Sequence, residues 1–575
     1  MGIATGKAVW TAESQGTELL DLTIGDLLDR QAEVWSDREA LIYSYPEIGT
    51  ELRLTYRQYR DEANRLAKGL LALGIARGEH IAIWATNVPE WALLQMAVAK
   101  IGAVLVTVNT NYRASELEYV LRQGDVSTLV MIGRHRDNDF REAILTIAPE
   151  LQEVTAPATQ SLRAAKLPVL KRVVFLGGEA PAGMLPYDRL HALGESVTDE
   201  ALQTRQATVD PQDVAQMQFT SGTTGFPKGV QMTHHGMVNN AFLTCGRLGL
   251  DSAGRIVSPM PFFHVAGSVF SLLGPVCFGA ALIPLIAFDP LKQLELLASE
   301  RGTFFVGVPT MLIAVLNHPR FAEFDLSSMR GVGSGGSPVP VALMEQYHAR
   351  TGAQPWIIYG MTEAHCTITF TMPDDPLALK IGSVGAPLPH IDVMIADPRT
   401  GEPVGLGERG ELCMRGFLVT KGYYRMPEKT AETIDEDGWL HSGDLATMNA
   451  EGRVNIVGRV KEMIIRGGEN LFPAEIEAFF MHHPKIAEAQ IVGVPDAFMG
   501  EELVALLRLK PGETAGEEEM REYCRDNISR QKTPKYIRFV DAYPLTASGK
   551  VQKFVLQEQL IRELGLEEVA KTKMA

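Results

Sequence analysis

The sequence predicts an α/β protein: a large N-terminal part of covered, largely parallel β-sheet, a short-stranded β part after it, and a small α+β unit at the end. Three observations predict it. Helical and strand-like patterns alternate through the first half; short strands broken by Gly and Pro turns follow from about 380 to 457; and a last set of apolar strands surrounds one helical stretch. At 575 residues the chain exceeds the roughly 250–300 at which one hydrophobic core stops growing, so more than one domain is required.

Taken in order, Ile24, Leu27, Leu28 and Trp35 stand at helical spacing, as do Tyr59, Ala63, Leu66, Ala67 and Leu70, which end at Gly74. Short β-rich runs follow at 80–85, 103–109, 128–132, 173–177 and 304–309, with helical stretches such as 90–101 between several of them. Such continuous apolar runs suit strands buried on both faces. The uncharged stretch 265–288 has the length of a membrane span, but Gly274-Pro275, Gly279 and Pro284 divide it into a short helix and a strand, so it is expected to be core. From about 381 to 457, segments such as PRTGEPVGLGERGELCMRG predict a small distorted β-barrel or a twisted sheet. Strands at 489–494, 502–509 and 536–541 and a helix near 517–527 complete the chain, and the run Glu517-Glu518-Glu519 is expected to be a solvated helix start.

Composition excludes several classes. Hydrophobic residues at 46% and charged residues at 22% are the usage of an ordinary globular enzyme, not of a disordered or fibrous chain. A net charge of -16 repels phosphate backbones, so no nucleic acid partner is expected, and an anionic nucleotide would need local amides and cations. The five cysteines are an odd number without a CxxC pair, which indicates neither a disulfide framework nor a zinc cluster. The N-terminus lacks a secretory pattern, so a reducing cytoplasmic location and no transmembrane segment are expected.

The strongest chemical signal is TSGTTGFPKGV, Thr220 to Val230, lying between a strand-like VAQMQF and a helical segment that starts near Thr233. Gly222, Gly225 and Gly229 permit close backbone approach, the amides and hydroxyls of Thr220, Ser221, Thr223 and Thr224 can bond phosphate oxygens, and Lys228 adds charge. Its order is not that of a Walker A loop. Three weaker segments each admit a bland reading. YGMTE, Tyr359 to Glu363, could stack a base and hold Mg²⁺ through Glu363, or simply end a strand. HSGD offers Asp444 to ribose hydroxyls or as a turn residue, and SGK offers Lys550 to a reacting carboxylate or to solvent.

With PMPFFHVAG (259–267), SGGSP (334–338), GRVKEMIIRGGENLFPAEIE (458–477) and PLTASGK (544–550), these segments occur in an order that resembles the adenylate-forming superfamily of acyl-CoA synthetases, luciferases and peptide-synthetase adenylation domains, over nearly the whole chain. The resemblance implies an ATP-dependent acid:coenzyme A ligase with ATP, Mg²⁺ and coenzyme A as cofactors. It also implies an N-terminal domain 1–459, with sheet subdomains to about 380, and a mobile C-terminal domain 460–575.

By that resemblance Thr220 to Lys228, including Thr224, bind phosphates, while Gly335, Gly336, Ser337, Tyr359, Gly360, Met361 and Thr362 frame the nucleotide. Glu363 would hold the metal, Asp444 and Arg459 the ribose, and Lys550 would bridge carboxylate and α-phosphate. Lys461 corresponds to a hinge between two poses, and Gly467 and Gly468 to the lining of a pantetheine channel. Val265, Ala266, Val308, Gly333, Gly335, Met361 and His365 would line the acid pocket.

His264 stands where amino-acid-activating relatives usually carry an Asp for the substrate amine, so a simple carboxylic acid is favoured and His264 becomes a pocket-wall or gating group. Small lining residues and MIIRGGENLFPAEIE resemble the medium-chain branch, that of acyl-CoA synthetase family member 2, implying a medium-chain or branched aliphatic acid. An aryl or long-chain acid, a carrier-protein-loading enzyme and a catalytically silent nucleotide-binding protein are the alternatives, and a homodimer is open.

Overall fold

A computed structural model describes residues 6–12, 17–220, 227–466, 469–496, 498–545 and 551–572. The chain forms two compact units: Thr11–Asp392 with Met414–Leu440 make the first, and Val393–Cys413, the residues from His441 onward and the strand Val9–Trp10 make the second.

The first unit holds two large sheets. Among the described residues one has seven strands, with His80–Trp84 at its centre between Val126–Ile132 and Val104–Thr107, and all neighbours run parallel except the final hairpin of Val214–Thr220 with Lys228–Thr233. The other has nine strands. Gln354–Met361, Gly331–Gly335, Phe304–Gly307, Arg255–Ser258 and Ala281–Pro284 are consecutive parallel neighbours in it, with antiparallel pairs at its two ends.

Local chemistry accounts for the helices. Thr23 and Thr55 begin Ile24–Val34 and Tyr56–Ala72 through capping boxes with Asp26 and Gln58, which satisfy otherwise orphaned amides. Ile24, Leu27, Leu28, Tyr59, Ala63, Leu66, Ala67 and Leu70 are buried on one face, as their spacing predicts. Trp84 and Phe140 stack at 3.6 Å between ring centroids inside the core of the seven-stranded sheet. The stretch 265–288 divides as expected, into a π-helical turn Ala266–Ser271, a short helix Leu272–Phe278 and the strand Ala281–Pro284. Among the described residues no helix is long and apolar enough to cross a membrane.

The second unit corrects the expectation of a barrel. Its strands Val9–Trp10, Ile391–Ala396, Gly410–Gly416, Leu440–Met448 and Val454–Arg459 form an open sheet in that order, and among the described residues the two outer strands do not meet. Closure needs a tilt and stagger that five short strands broken by turns do not supply. Val9–Trp10 enters it across nearly four hundred residues, pairing with Val393 and Met394, a contact of which the local sequence gives no sign. The rest of the unit packs the long hairpin Ile486–Asp496 and Gly500–Leu509, with Tyr536–Phe539 parallel to its second strand, against the helices Pro473–Met481, Glu517–Asn527 and Lys553–Glu563.

Candidate active site

In the first unit the phosphate-binding candidates begin at the seven-stranded sheet's hairpin, where Thr220 lies opposite Lys228. Ser221, Gly222, Thr223, Thr224 and Gly225 lie outside the described residues. Lys228 places its ammonium 4.0 Å from the centroid of the Tyr423 ring, a cation–π contact. Tyr423 donates its hydroxyl to Glu363 Oε1 at 2.8 Å. Backbone bonds make this possible: Gln231 donates to Gly422, Lys421 to Gln231 and Tyr424 to Gly229, so 421–424 runs along the edge of the hairpin. Burial, and then the Glu363 carboxylate, push the Tyr423 phenol well above its ordinary range, which keeps it a donor.

Glu363 is itself buried, and its main-chain oxygen accepts from the Thr420 amide at 3.1 Å. The Thr420 hydroxyl is buried with no hydrogen-bond partner among the described residues. One carboxylate oxygen is thus held by a neutral donor, and a buried carboxylate is a hard oxygen ligand of the kind that fits Mg²⁺.

The base- and acid-binding candidates share the carboxyl ends of neighbouring parallel strands, where open α/β sheets place ligands. Gly335 pairs with Ile358, bringing SGGSP beside YGMTE. A Cβ on Gly335 would stand 2.2 Å from the Ile358 oxygen, and one on Gly360 would stand 1.6 Å from the Cys366 oxygen, so neither position admits a side chain. A register shift between Tyr359 and Gly360 leaves Tyr359 half-buried at the strand end. Val308, Gly333, Gly336, Ser337, Met361 and Thr362 lie on or just after the same strand ends. His264, Val265 and Ala266 follow Arg255–Ser258 and lead into the π-helical turn, a form frequent at functional sites. Ser268 fixes that turn by accepting the amides of Gln216, at 3.0 Å, and Gln218, at 2.8 Å, from the other sheet.

His365 is not a pocket wall. It is fully buried; its Nε2 accepts the Thr233 amide at 3.0 Å, and its Nδ1 therefore donates to the Leu418 oxygen at 2.7 Å. Burial lowers its pKa to about 4, so the ring is neutral. The side chain turns inward because the backbone passes through φ +59° at this residue, and it bolts the turn after Glu363 to the helix His234–Arg247.

In the second unit Asp444 and Arg459 face one another on adjacent strands, Arg459 Nε to Asp444 Oδ1 2.9 Å. The strand segment that carries Asp444 is held by Glu411, whose Oε1 accepts the Gly443 amide at 2.9 Å and whose Oε2 lies 3.0 Å from His441 Nδ1. Cys413 and Glu411 together raise the His441 pKa to about 11. Lys461 is exposed in the short turn Val460–Glu462 that follows Arg459. Next to it Lys553 joins Glu462, at 2.9 Å, to Glu477, at 2.7 Å. Gly467, Gly468 and Lys550 lie outside the described residues.

The sequence model of the AMP-binding enzyme family matches residues 28–424, and that of the AMP-binding enzyme C-terminal domain matches 475–550. A Bacillus subtilis (strain 168) protein named as an acyl-CoA synthetase, YngI, is 44% identical over 96% of this chain and 99% of its own length. The mitochondrial medium-chain acyl-CoA ligase ACSF2 of Mus musculus is 40% identical over 96% of this chain and 89% of its own.

This chain belongs to the AMP-binding enzyme family, in its acyl-CoA synthetase branch.

Solved structures agree with the fold of this synthetase. The anthranilate CoA ligase AuaEII in complex with anthranoyl-AMP superposes with a TM-score of 0.80 at 26% identity, covering 95% of this chain and 98% of its own. ATP-bound MatB from Rhodopseudomonas palustris gives 0.78 at 27% identity, covering 94% and 99%.

Four residues of the synthetase escaped sequence reasoning. Tyr423 and Thr420 lie about sixty residues from Glu363, Glu411 lies thirty before His441, and Ser268 sits in an apolar run. The doubled tyrosine of KGYYRMPE and the acid of RGEL were visible, but only the tertiary pairing gives them partners.

Proposed function

We propose that this synthetase, an AMP-forming acid–thiol ligase, activates a medium-chain or branched aliphatic carboxylic acid and passes the acyl group to coenzyme A. One observation carries the reading: the carboxyl ends of adjacent parallel strands are edged by Gly333, Gly335 and Gly360, with His264 rather than an acid at the neighbouring position. Such an edge accepts an uncharged chain, and an ammonium group there would be buried without a counter-charge. The relatives named as medium-chain ligases support it.

In the first half-reaction a carboxylate oxygen bonds to the α-phosphorus of ATP, the bond from that phosphorus to the bridging oxygen breaks, and pyrophosphate leaves. Two anions must meet, so the barrier falls through positioned charge and amides. Lys228 and Thr220 would serve the phosphates, Tyr359 and the Gly335–Ser337 segment the base, Asp444 with Arg459 the ribose, and Lys550 the attacking carboxylate. When bound, Mg²⁺ neutralises phosphate charge, and Glu363, oriented by Tyr423, would hold it. In the second half-reaction the coenzyme A sulfur bonds to the acyl carbon, AMP leaves with its phosphate, and the thiol proton passes to solvent. Lys461 would act as the pivot between the two poses of the 460–575 region. Five free, buried cysteines support a reducing, cytoplasmic location.

The test is coenzyme A-dependent AMP release from ATP across straight-chain, branched and aryl acids. A clear kcat/KM preference for aliphatic acids of medium length is expected. An equal or better aryl acid would overturn the assignment, and adenylate formed but not discharged by coenzyme A would point to carrier loading.

A further inference from the structure

Residues two apart on a strand point to the same face, and a neighbouring strand adds a third side chain beside them. Glu411 and Cys413 stand in this relation on Gly410–Gly416, with His441 beside them on Leu440–Met448. His441 Nδ1 lies 3.0 Å from Glu411 Oε2 and 3.4 Å from Cys413 Sγ, and the three donor atoms all fall within 4.8 Å of one another. A tetrahedral zinc-like cation bonded to all three would set N···O near ~3.4 Å and N···S near ~3.6 Å. The two separations from His441 Nδ1 differ from these by a few tenths of an ångström, and the third pair of donor atoms lies within 4.8 Å.

The donor set is mixed, one thiol, one imidazole and one carboxylate, which selects a borderline cation over the hard ions of phosphate chemistry. Glu411 already has its other oxygen fixed by the Gly443 amide, the outer contact that orients a ligating carboxylate. Access comes through His441, whose side chain is 30% exposed, while the Cys413 side chain is fully buried. The absence of a CxxC pair had hidden this cluster, since its thiol is joined by an acid two residues away and a histidine from the next strand.

We propose that Glu411, Cys413 and His441 form a site for a divalent cation of the zinc class, and that filling it inhibits the synthetase through the strand segment that carries Asp444. On binding, the Nδ1 lone pair and the Glu411 Oε2 lone pair go to the cation; the proton on Nδ1 and the thiol proton of Cys413 both pass to solvent, and Nε2 keeps its own. The contacts of Glu411 with His441 and Gly443 hold the strand segment 441–444, so moving these side chains onto a cation moves the carboxylate assigned to ribose. The inhibitory consequence rests on that assignment; the binding does not.

The experiment uses the full chain, freed of metal by a chelator, titrated with Co²⁺ alone and separately with Zn²⁺ in the adenylate-forming assay at fixed Mg²⁺. Wild type is compared with Cys413→Ser, and with Cys413→Ala if the serine variant unfolds. The expected result is a thiolate-to-cobalt charge-transfer band in wild type that the variant lacks, and a Zn²⁺ concentration for half inhibition at least roughly tenfold higher in the variant. A wild type without the band, or a variant that keeps it, overturns the site. Equal Zn²⁺ inhibition of both proteins, as displacement of Mg²⁺ would give, overturns the regulatory role. A chain that binds Co²⁺ through Cys413 but makes no adenylate with any acid counts against the proposed function and leaves the cation site standing.

Discussion

Glu363 and Asp444 are both buried carboxylates, yet their partners differ in kind. Glu363 accepts from the neutral Tyr423 hydroxyl, and among the described residues no cationic side chain is bonded to it, whereas Asp444 is met by the Arg459 guanidinium. A buried carboxylate without a protein cation keeps its charge available to a bound one, while a paired carboxylate is fixed in place as an acceptor. The same residue chemistry is thus left without a cationic partner among the described residues in one unit and is paired in the other, which is the contrast that the proposed metal and ribose roles rest on.

The largest effect tests the first half of that comparison. Glu363→Gln keeps shape and removes charge, and adenylate formation should fall by about 10²–10³-fold, as when one charge-stabilising group is lost from a transition state. Pyrophosphate release measured against Mg²⁺ concentration checks it; a near-normal rate would mean that Glu363 is only a strand-end residue.

Acid pH attacks the platform beneath Glu363. His365 and His234 are buried neutral with pKa lowered to about 4 from 6.5. Between those values the unfolded chain binds more protons, so the stability these rings confer is complete above about pH 6.5 and is lost as pH falls toward 4, on the order of 3 kcal/mol for each. Denaturant unfolding across pH 4–7 should show that slope, and His365→Gln should flatten part of it.

Asp444→Asn should raise the KM for ATP by roughly tenfold or more with a smaller change in kcat, because a charge-assisted bond is worth about 1.5–3 kcal/mol. An unchanged KM would free Asp444 from the ribose and leave it only the cross-strand partner of Arg459. Smallest is Tyr423→Phe, which removes one bond of about 1 kcal/mol and should raise the Mg²⁺ needed for half-maximal rate by roughly fivefold. If Glu363→Gln and Tyr423→Phe did not differ in size, the contrast between an oriented and an orienting group would fail.

Much of the fold was legible. The β-rich runs, the burial face of Tyr56–Ala72 and the divided stretch 265–288 follow from periodicity and from Gly and Pro, which act within a few residues. That the short-stranded part is an open sheet rather than a barrel was not, because closure depends on stagger between strands that no single segment encodes, and the strand Val9–Trp10 that joins the sheet comes from the far end of the chain. His365 shows the same limit inside the site. Two residues beyond Glu363, it reads as pocket lining, but a left-handed turn sends the ring into the core, where Thr233 and Leu418 take both nitrogens.

What the sequence by itself determined is the family that local order can write: the glycine- and hydroxyl-rich run with Lys228, the YGMTE and HSGD segments and their succession, since short motifs keep their residue types and order whatever the distant contacts are. What only the tertiary structure decided is partnership. Tyr423 under Lys228 and against Glu363, Arg459 across from Asp444, and Glu411 with Cys413 beside His441 each depend on strands meeting in a particular register, and register is set by the whole sheet rather than by any one segment of it.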